Sequence, residues 1–239
     1  MASPRTPVRP GRTGQNPAMR LSSTFLPRLA ALASCFGIAL SALAADPSAP
    51  SAIFDPDDIV LDLSQAEWSQ AYLQWIAAFP RNASPIADSS GASCAARQEG
   101  EVWFLATSDG TAPVTRICAV PAGKTLFVPI VSTMERSGNK EPDCGSMAHI
   151  AADHLGQHVT QLTMSVDGVA VDNLASHRQA SATCFPLGLR QTPRLTAATA
   201  VSDGYYVMLR PLAPGLHTIA VGARFDSTSL STTYRLDIR

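Results

Sequence analysis

Lysine, and charge in general, is scarce in this sequence. Charged residues make up only 15% of the 239, against 46% hydrophobic residues, and Lys124 and Lys140 are the two lysines. All 19 acidic residues lie beyond residue 44, whereas five of the 18 basic residues lie within residues 1–28, so the chain beyond residue 44 has a net charge of −6. This composition excludes a disordered chain. It also lacks the basic surface that nucleic-acid binding or docking on anionic lipid requires.

The sequence also lacks an apolar run of about 20 residues, the length that a membrane-spanning helix needs. The candidate run, residues 29–43, follows a basic start and ends in Ala42-Leu43-Ala44. These are the parts of a secretory signal peptide, complete whether translation starts at Met1 or at Met19. We therefore predict a signal peptide at residues 1–44 and a secreted or periplasmic mature protein.

A cysteine inside this leader raises the alternative of a lipid anchor. Leu32-Ala33-Ser34-Cys35 resembles a bacterial lipobox, which would place a lipid on Cys35. A lipoprotein signal ends its apolar segment at the cysteine, but here the segment continues for several residues. We therefore predict that Cys35 is removed with the leader and that the mature protein has no lipid anchor there.

Four cysteines remain beyond the leader: Cys94, Cys118, Cys144 and Cys184. An even number in an exported chain predicts two disulfides, for which three pairings are open. We favour the pairs Cys94–Cys118 and Cys144–Cys184, which join neighbours in the sequence. Zinc ligation is the alternative, but no two of these cysteines have the short C-x₂₋₄-C spacing of zinc loops.

One helix is clearly predicted near the start of the mature chain. Ser64 and Glu67 have the spacing of a capping box. An apolar stripe at helical spacing follows and stops at Pro80; its members are Trp68, Tyr72, Trp75, Ile76 and Phe79. The tryptophans would form a sugar-stacking platform if they were open to solvent. The composition of the stripe favours the alternative, in which the helix packs on a sheet.

From about residue 100 the apolar period changes from 3.6 to 2, which predicts strands. The predicted strands are Glu101–Ala106, Val114–Val120, Lys124–Ser132, Val159–Val166, Val169–Val171, Tyr205–Arg210, Leu216–Val221 and Thr232–Ile238. Pro129 indicates an edge strand or a bulge. Asp167-Gly168 predicts a two-residue hairpin, and Pro214-Gly215 predicts a turn.

Together these elements predict a mainly β protein, an antiparallel β-sandwich with an N-terminal amphipathic helix and one short internal helix at Ser146–His158. Residues 45–57 are predicted as a flexible leader and residues 58–239 as a single domain. Within that domain, residues 172–200 are predicted as a long loop pinned by Cys184.

A family resemblance covers most of the mature chain. It rests on the pattern W-x₆-W…D-x₂-G-x₂-C-x₃-Q-x-G-x-V-W-F-L from Trp68 to Leu105, on R-x-C-x-V-P-x-G-K from Arg116 to Lys124, and on a tail that begins with Ser202-Asp203-Gly204-Tyr205-Tyr206. The chain resembles a group of exported bacterial proteins without assigned function. The resemblance implies a shared fold and secretion, but it carries over no reaction and no catalytic residue.

Several polar residues lie within apolar stretches near the first cysteine pair. Buried polar groups are costly unless they are paired, so such residues form a network or line a site. One interpretation is an ion pair between Asp88 and Arg116 that braces the first disulfide. The other is a ligand pocket, for which the candidate binding residues are Asp88, Gln98, Trp103, Arg116 and Lys124.

Two histidines offer a candidate metal site. His154 and His158 lie one helical turn apart and could share an ion. The segment lacks the glutamate of an H-E-x-x-H motif, and His149 lies about 140° around the helix. Ordinary surface histidines are the alternative that we favour, and we predict no cofactor.

Nothing in the sequence identifies a reaction. There is no G-x-S-x-G motif, and sequence alone does not bring two carboxylates together for glycoside hydrolysis. The leading hypothesis is a non-enzymatic exported module that recognises an extracellular or envelope ligand such as a glycan. The alternatives are a small extracellular hydrolase or lyase acting on a polymer, and a structural envelope protein. A cleft with two convergent carboxylates would favour hydrolysis.

Overall fold

The structure is a computed structural model that describes residues 52–110, 112–137, 143–188 and 198–239. The predicted signal peptide, the position of Cys35 and residues 45–51 of the predicted leader lie outside the described residues. No helix in the described part of the chain is long and apolar enough to cross a membrane.

The described residues form two α-helices and ten strands. The helices are α1 (Gln65–Ala77) and α2 (Cys144–His158). The strands are β1 (Val102–Phe104), β2 (Val114–Val120), β3 (Thr125–Arg136), β4 (Val159–Val166), β5 (Val169–Ala170), β6 (Arg178–Ala180), β7 (Phe185–Pro186), β8 (Thr199–Leu209), β9 (Gly215–Phe225) and β10 (Thr228–Ile238). The prediction of a mainly β protein with two helices is confirmed.

The strands form two sheets that face each other across one core. The first sheet has the order β1-β3-β8-β6, with β7 also paired to β8, and the second has the order β2-β10-β9-β4-β5. Val128 and Val207 of the first sheet share a core with Ile219 and Leu236 of the second. The arrangement is therefore sandwich-like, as predicted.

The sheets are mixed, so the antiparallel part of the fold prediction is wrong. β1 pairs with β3 in parallel, and β2 pairs with β10 in parallel. The chain passes from β1 to β2 in the other sheet and returns to β3 beside β1. Parallel neighbours need such a crossover, because a tight hairpin can join only antiparallel strands. The sequence pattern predicts strands but carries no signal of the sheet that each strand joins.

The first sheet is buried on both faces because α1 covers the face away from the second sheet. The capping box forms as predicted: the Ser64 amide donates to Glu67 Oε2 at 2.8 Å, and the Glu67 amide donates to Ser64 Oγ at 3.3 Å. Tyr72 is 1% exposed and lies 5.7 Å from Phe127, ring centre to ring centre. Trp75 is only 7% exposed, which supports packing on the sheet over an open stacking platform.

The predicted turns are found, although one has a different role. Asp167 and Gly168 have φ of 52° and 81° and connect β4 to β5 in a hairpin, as predicted. β3 lies inside its sheet and shifts register between Pro129 and Val131, which is the predicted bulge. The connection that contains Pro214 does not close a hairpin, because β8 and β9 belong to different sheets.

The predicted loop at residues 172–200 contains regular structure. It includes a 3₁₀ turn at Leu174–His177, both β6 and β7, and the start of β8, while residues 189–197 lie outside the description. The described part of the predicted leader, residues 52–57, is bound to the sheet: the Phe54 amide donates to the Met208 carbonyl at 3.0 Å. β6 and β7 are two or three residues long and pair only with β8, so no local periodicity could indicate them.

The structure confirms both disulfide pairs, Cys94–Cys118 and Cys144–Cys184. The first joins β2 to residues 84–101, which we call the braced loop. The second joins the first residue of α2 to the segment just before β7. With sequence separations of 24 and 40, each bond stabilises the fold by about 3–4 kcal/mol through the unfolded chain.

Candidate functional site

Arg116 on β2 is 2% exposed, and its guanidinium is a hydrogen-bonding centre inside the fold. Nε donates to the Asp88 carbonyl at 2.7 Å, and Nη2 donates to the Ile86 carbonyl at 3.0 Å. Nη1 donates to the carbonyls of Ala106 and Thr107 and to the Tyr234 hydroxyl. Arg116 therefore ties the braced loop to the end of β1 and to β10, and its donors are used within the protein.

The ion pair predicted between Asp88 and Arg116 is not formed, because the carboxylate is occupied by its own loop. Asp88 accepts hydrogen bonds from the amides of Ser90, Gly91 and Ser93 at 2.7–3.2 Å. Partial burial acts to raise the pKa of Asp88, but these hydrogen bonds and one from the Ser90 hydroxyl outweigh it and lower the pKa to about 2.

Gly91 explains the D-x₂-G-x₂-C spacing of this loop. Its φ is +95°, and a Cβ at this position would lie 2.5 Å from the carbonyl oxygen of Ile117 on β2. Only glycine fits both this conformation and this close approach. Asp88 and Gly91 thus place Cys94 beside Cys118.

Gln98 and Lys124 also make structural contacts. The Gln98 amide nitrogen donates to the carbonyls of Cys94 and Phe104 at 2.9 and 2.8 Å, and its oxygen accepts from the Phe104 amide at 3.0 Å. Lys124 Nζ donates to the Gly100 carbonyl at 2.7 Å and lies 3.6 Å from the Glu101 carboxylate. Both residues hold the braced loop against β1 and β3.

The structure does not bring the predicted ligand-binding residues to one opening. Asp88 and Arg116 line a void of about 10 Å³, which holds at most one water molecule. Trp103 points into the core between the sheets and borders a separate groove with Ala119 and Pro121. These residues make structural contacts within the fold and do not line one shared pocket.

A larger groove, of about 510 Å³, lies between α1, the braced loop and the end of β7. Its described lining is Gln74, Trp75 and Ala78 of α1, Arg97 and Glu99 of the braced loop, Phe104 of β1, and Pro186, Leu187 and Gly188. The volume falls within the range of small-molecule sites. The floor is apolar and consists mainly of the partly exposed Phe104 ring beside the buried Trp75, while the exposed side chains of Arg97 and Glu99 form a charged rim.

Hydrogen bonds to the braced loop on either side of Arg97 hold this rim residue in position. The Trp75 indole nitrogen donates to the Ala96 carbonyl at 3.0 Å, and Gln98 is bound to β1, so Arg97 is anchored on both sides. Arg97 has φ of +52°, and its guanidinium carbon lies 5.2 Å from the centre of the Phe79 ring. Sequence reasoning missed Arg97 as a site residue. The available signal was its position next to Gln98 in the C-x₃-Q pattern.

The predicted metal residues lie elsewhere, at the C-terminal end of α2. The rings of His154 and His158 are 5.3 Å apart between centres, and His158 Nδ1 lies 2.7 Å from the Asp226 carboxylate. His177 is buried in its 3₁₀ turn. No group of three or more histidine, cysteine or acidic side chains in the described ranges is arranged to hold a metal ion.

Comparisons with known proteins do not assign this chain to a family. No family model matches it, and no curated protein matches it. A chain from a structure of PbICP-C in complex with falcipain-2 aligns over 59% of this chain and 100% of its own length, with 10% identity and a TM-score of 0.25. The solution structure of amebosin aligns over 53% of this chain and 96% of its own length, with 9% identity and a TM-score of 0.20. Scores this low support no conclusion about fold or function.

Proposed function

We propose that the protein is an exported, non-enzymatic recognition module that binds a glycan in the groove between α1, the braced loop and β7. The observation that carries this proposal is a groove of about 510 Å³ with an apolar floor, where the partly exposed Phe104 ring lies beside the buried Trp75, and with a polar rim formed by Arg97 and Glu99. A sugar ring has apolar C–H faces and a hydroxyl edge. The floor complements the faces, and the rim supplies a charged donor and a charged acceptor for the hydroxyls.

The fixed geometry of the groove also supports a binding role. The disulfide at Cys94, the amide of Gln98 and the indole of Trp75 hold the braced loop before any ligand arrives. A preformed site loses little conformational entropy when its ligand binds. The buried hydrogen bonds from Arg116 to the braced loop also make the loop rigid.

Catalysis in the groove is disfavoured by the side chains that line it. Glycoside hydrolysis normally uses two carboxyl groups on either side of the scissile bond. Glu99 is the one carboxylate among the described lining residues, and that described lining includes no histidine, serine or cysteine. Export is supported by the predicted signal peptide and by two disulfides, which persist in oxidising compartments.

A glycan array probed with the mature, disulfide-bonded protein tests this function, and titration calorimetry then measures affinity for the best ligand. Arg97→Ala should weaken binding by about 10-fold or more, since it removes charge-assisted hydrogen bonds of about 1.5–3 kcal/mol. The matched control is Arg235→Ala, at an exposed position on the second sheet. Failure to retain any glycan, or equal affinities for the two variants, would overturn the proposal.

A further inference from the structure

The end of α2 places two imidazoles side by side next to the connection between β9 and β10. His154 and His158 are four residues apart, so both lie on one face of the helix. Their ring centres are 5.3 Å apart and their planes are nearly perpendicular, at 83°. These side chains are far in sequence from the groove residues and play no part in the proposed function.

The separation of the rings is compatible with a metal ion shared between them. A Zn²⁺ ion lies about 2.0–2.1 Å from its imidazole nitrogen, and therefore about 3.2 Å from the centre of that ring. Two imidazoles around one tetrahedral ion then have centres about 5 Å apart. The observed distance of 5.3 Å agrees with this value. His154 is exposed and can rotate to aim its nitrogen, so the helix itself need not move.

His158 is already held as metal-binding histidines usually are. Its Nδ1 lies 2.7 Å from the Asp226 carboxylate, and its ring is stacked on Phe225 with a centre-to-centre distance of 5.3 Å. The Asp226 amide also donates to the His158 carbonyl at 2.8 Å, which fixes the turn against the end of α2. A carboxylate on Nδ1 orients the ring and leaves Nε2 as the ligand atom.

We infer that His154 and His158 form a site for a divalent transition-metal ion of the Zn²⁺ type, with Asp226 as the positioning residue behind His158. Imidazole is a preferred ligand of such ions, whereas Ca²⁺ and Mg²⁺ prefer oxygen. Because the described residues offer no third histidine, cysteine or acidic ligand at this point, the remaining positions are open. Water, or a donor group from a second molecule, fills them.

Calorimetric titration of Zn²⁺ into untagged, metal-free mature protein at pH 7.5 tests this site. We expect one equivalent of Zn²⁺ to bind. His154→Gln should weaken binding at least 10-fold, and Asp226→Asn should weaken it about 10-fold. His149→Gln is the matched control, because His149 is exposed on the same helix but lies about 140° away from His154 around its axis.

The result that overturns the site is equal loss of affinity in His149→Gln and His154→Gln, or the absence of saturable binding by the unaltered protein. Folding of each variant is checked by its thermal unfolding midpoint. His154→Gln is the decisive variant, because His154 is exposed and its replacement is expected to change stability little.

Discussion

Replacing Arg116 with methionine tests whether the buried guanidinium supports the frame of the protein. Methionine keeps an unbranched side chain at this position but removes every donor. Four backbone carbonyls, those of Ile86, Asp88, Ala106 and Thr107, then lose a donor, although the Ala106 carbonyl keeps the Tyr234 hydroxyl as a partner. The Tyr234 hydroxyl, whose pKa burial raises to about 12 against the opposing charge of Arg116, loses one as well.

The expected loss of stability is large because water cannot replace these donors. Arg116 is 2% exposed, and the void beside it is about 10 Å³. A buried polar group without a partner costs about 1–3 kcal/mol. The carbonyls can relax in part, so we expect Arg116→Met to lower the free energy of unfolding by at least about 4 kcal/mol. This is a large share of the total of about 5–15 kcal/mol for a typical domain.

Urea denaturation followed by tryptophan fluorescence measures this loss. Arg235→Met, at an exposed position of β10, should change the free energy of unfolding by no more than about 0.5 kcal/mol. Arg116→Lys should fall between the two, because one ammonium cannot reach all the acceptors of a guanidinium. If Arg116→Met costs less than about 1 kcal/mol, the structural role assigned to Arg116 is refuted.

Two further predictions concern pH. His217 Nδ1 lies 2.7 Å from the Asp167 carboxylate, a hydrogen bond that raises the pKa of His217, and Nε2 also contacts the Ala213 carbonyl. The stabilisation by protonated His217 is complete below about pH 6.5 and is lost as the pH rises through its raised pKa in the folded protein. The difference in melting temperature between the unaltered protein and His217→Gln should therefore shrink from pH 6 to pH 9. A constant difference would contradict this. For Asp88, the folded pKa of about 2 lies below the ordinary value of about 3.9, so its stabilisation is present above about pH 5 and lost toward pH 2. In urea denaturation, Asp88→Asn should lose less stability than the unaltered protein between pH 5 and pH 2, and identical losses would rule this out.

The fold prediction was right where a few neighbouring residues carry the signal. It was wrong where the pairing of distant strands sets the arrangement of a sheet. The capping box at Ser64 and the hairpin at Asp167-Gly168 are both contained within a few residues, and both form as predicted. The two-residue connection at Asp226-Ser227 was missed because it lacks the glycine of the usual hairpin signals. The parallel pairing of β2 with β10 joins residues more than a hundred positions apart, which no local pattern reveals.

The residues that the site prediction singled out make structural contacts in the fold. Arg116 and Gln98 were singled out because polar residues in apolar stretches must find partners, and this reasoning holds. Their partners lie within the protein: carbonyls of the braced loop, backbone groups at β1 and just after it, and the Tyr234 hydroxyl. Arg97 and Glu99 were missed although they flank Gln98 of the C-x₃-Q pattern, because exposed charged residues are common on any surface.

The sequence alone determined the capping box of α1, the approximate positions of the longer strands and the tight turn at Asp167-Gly168, because each follows from local backbone preferences, and it left three cysteine pairings open. Only the tertiary structure decided which strands pair in parallel, that Arg116 binds carbonyls in place of the Asp88 carboxylate, and that Trp75, Phe104 and Arg97 share one groove. These outcomes depend on contacts between distant segments, and the free energy of such contacts exists only once the sheets have assembled.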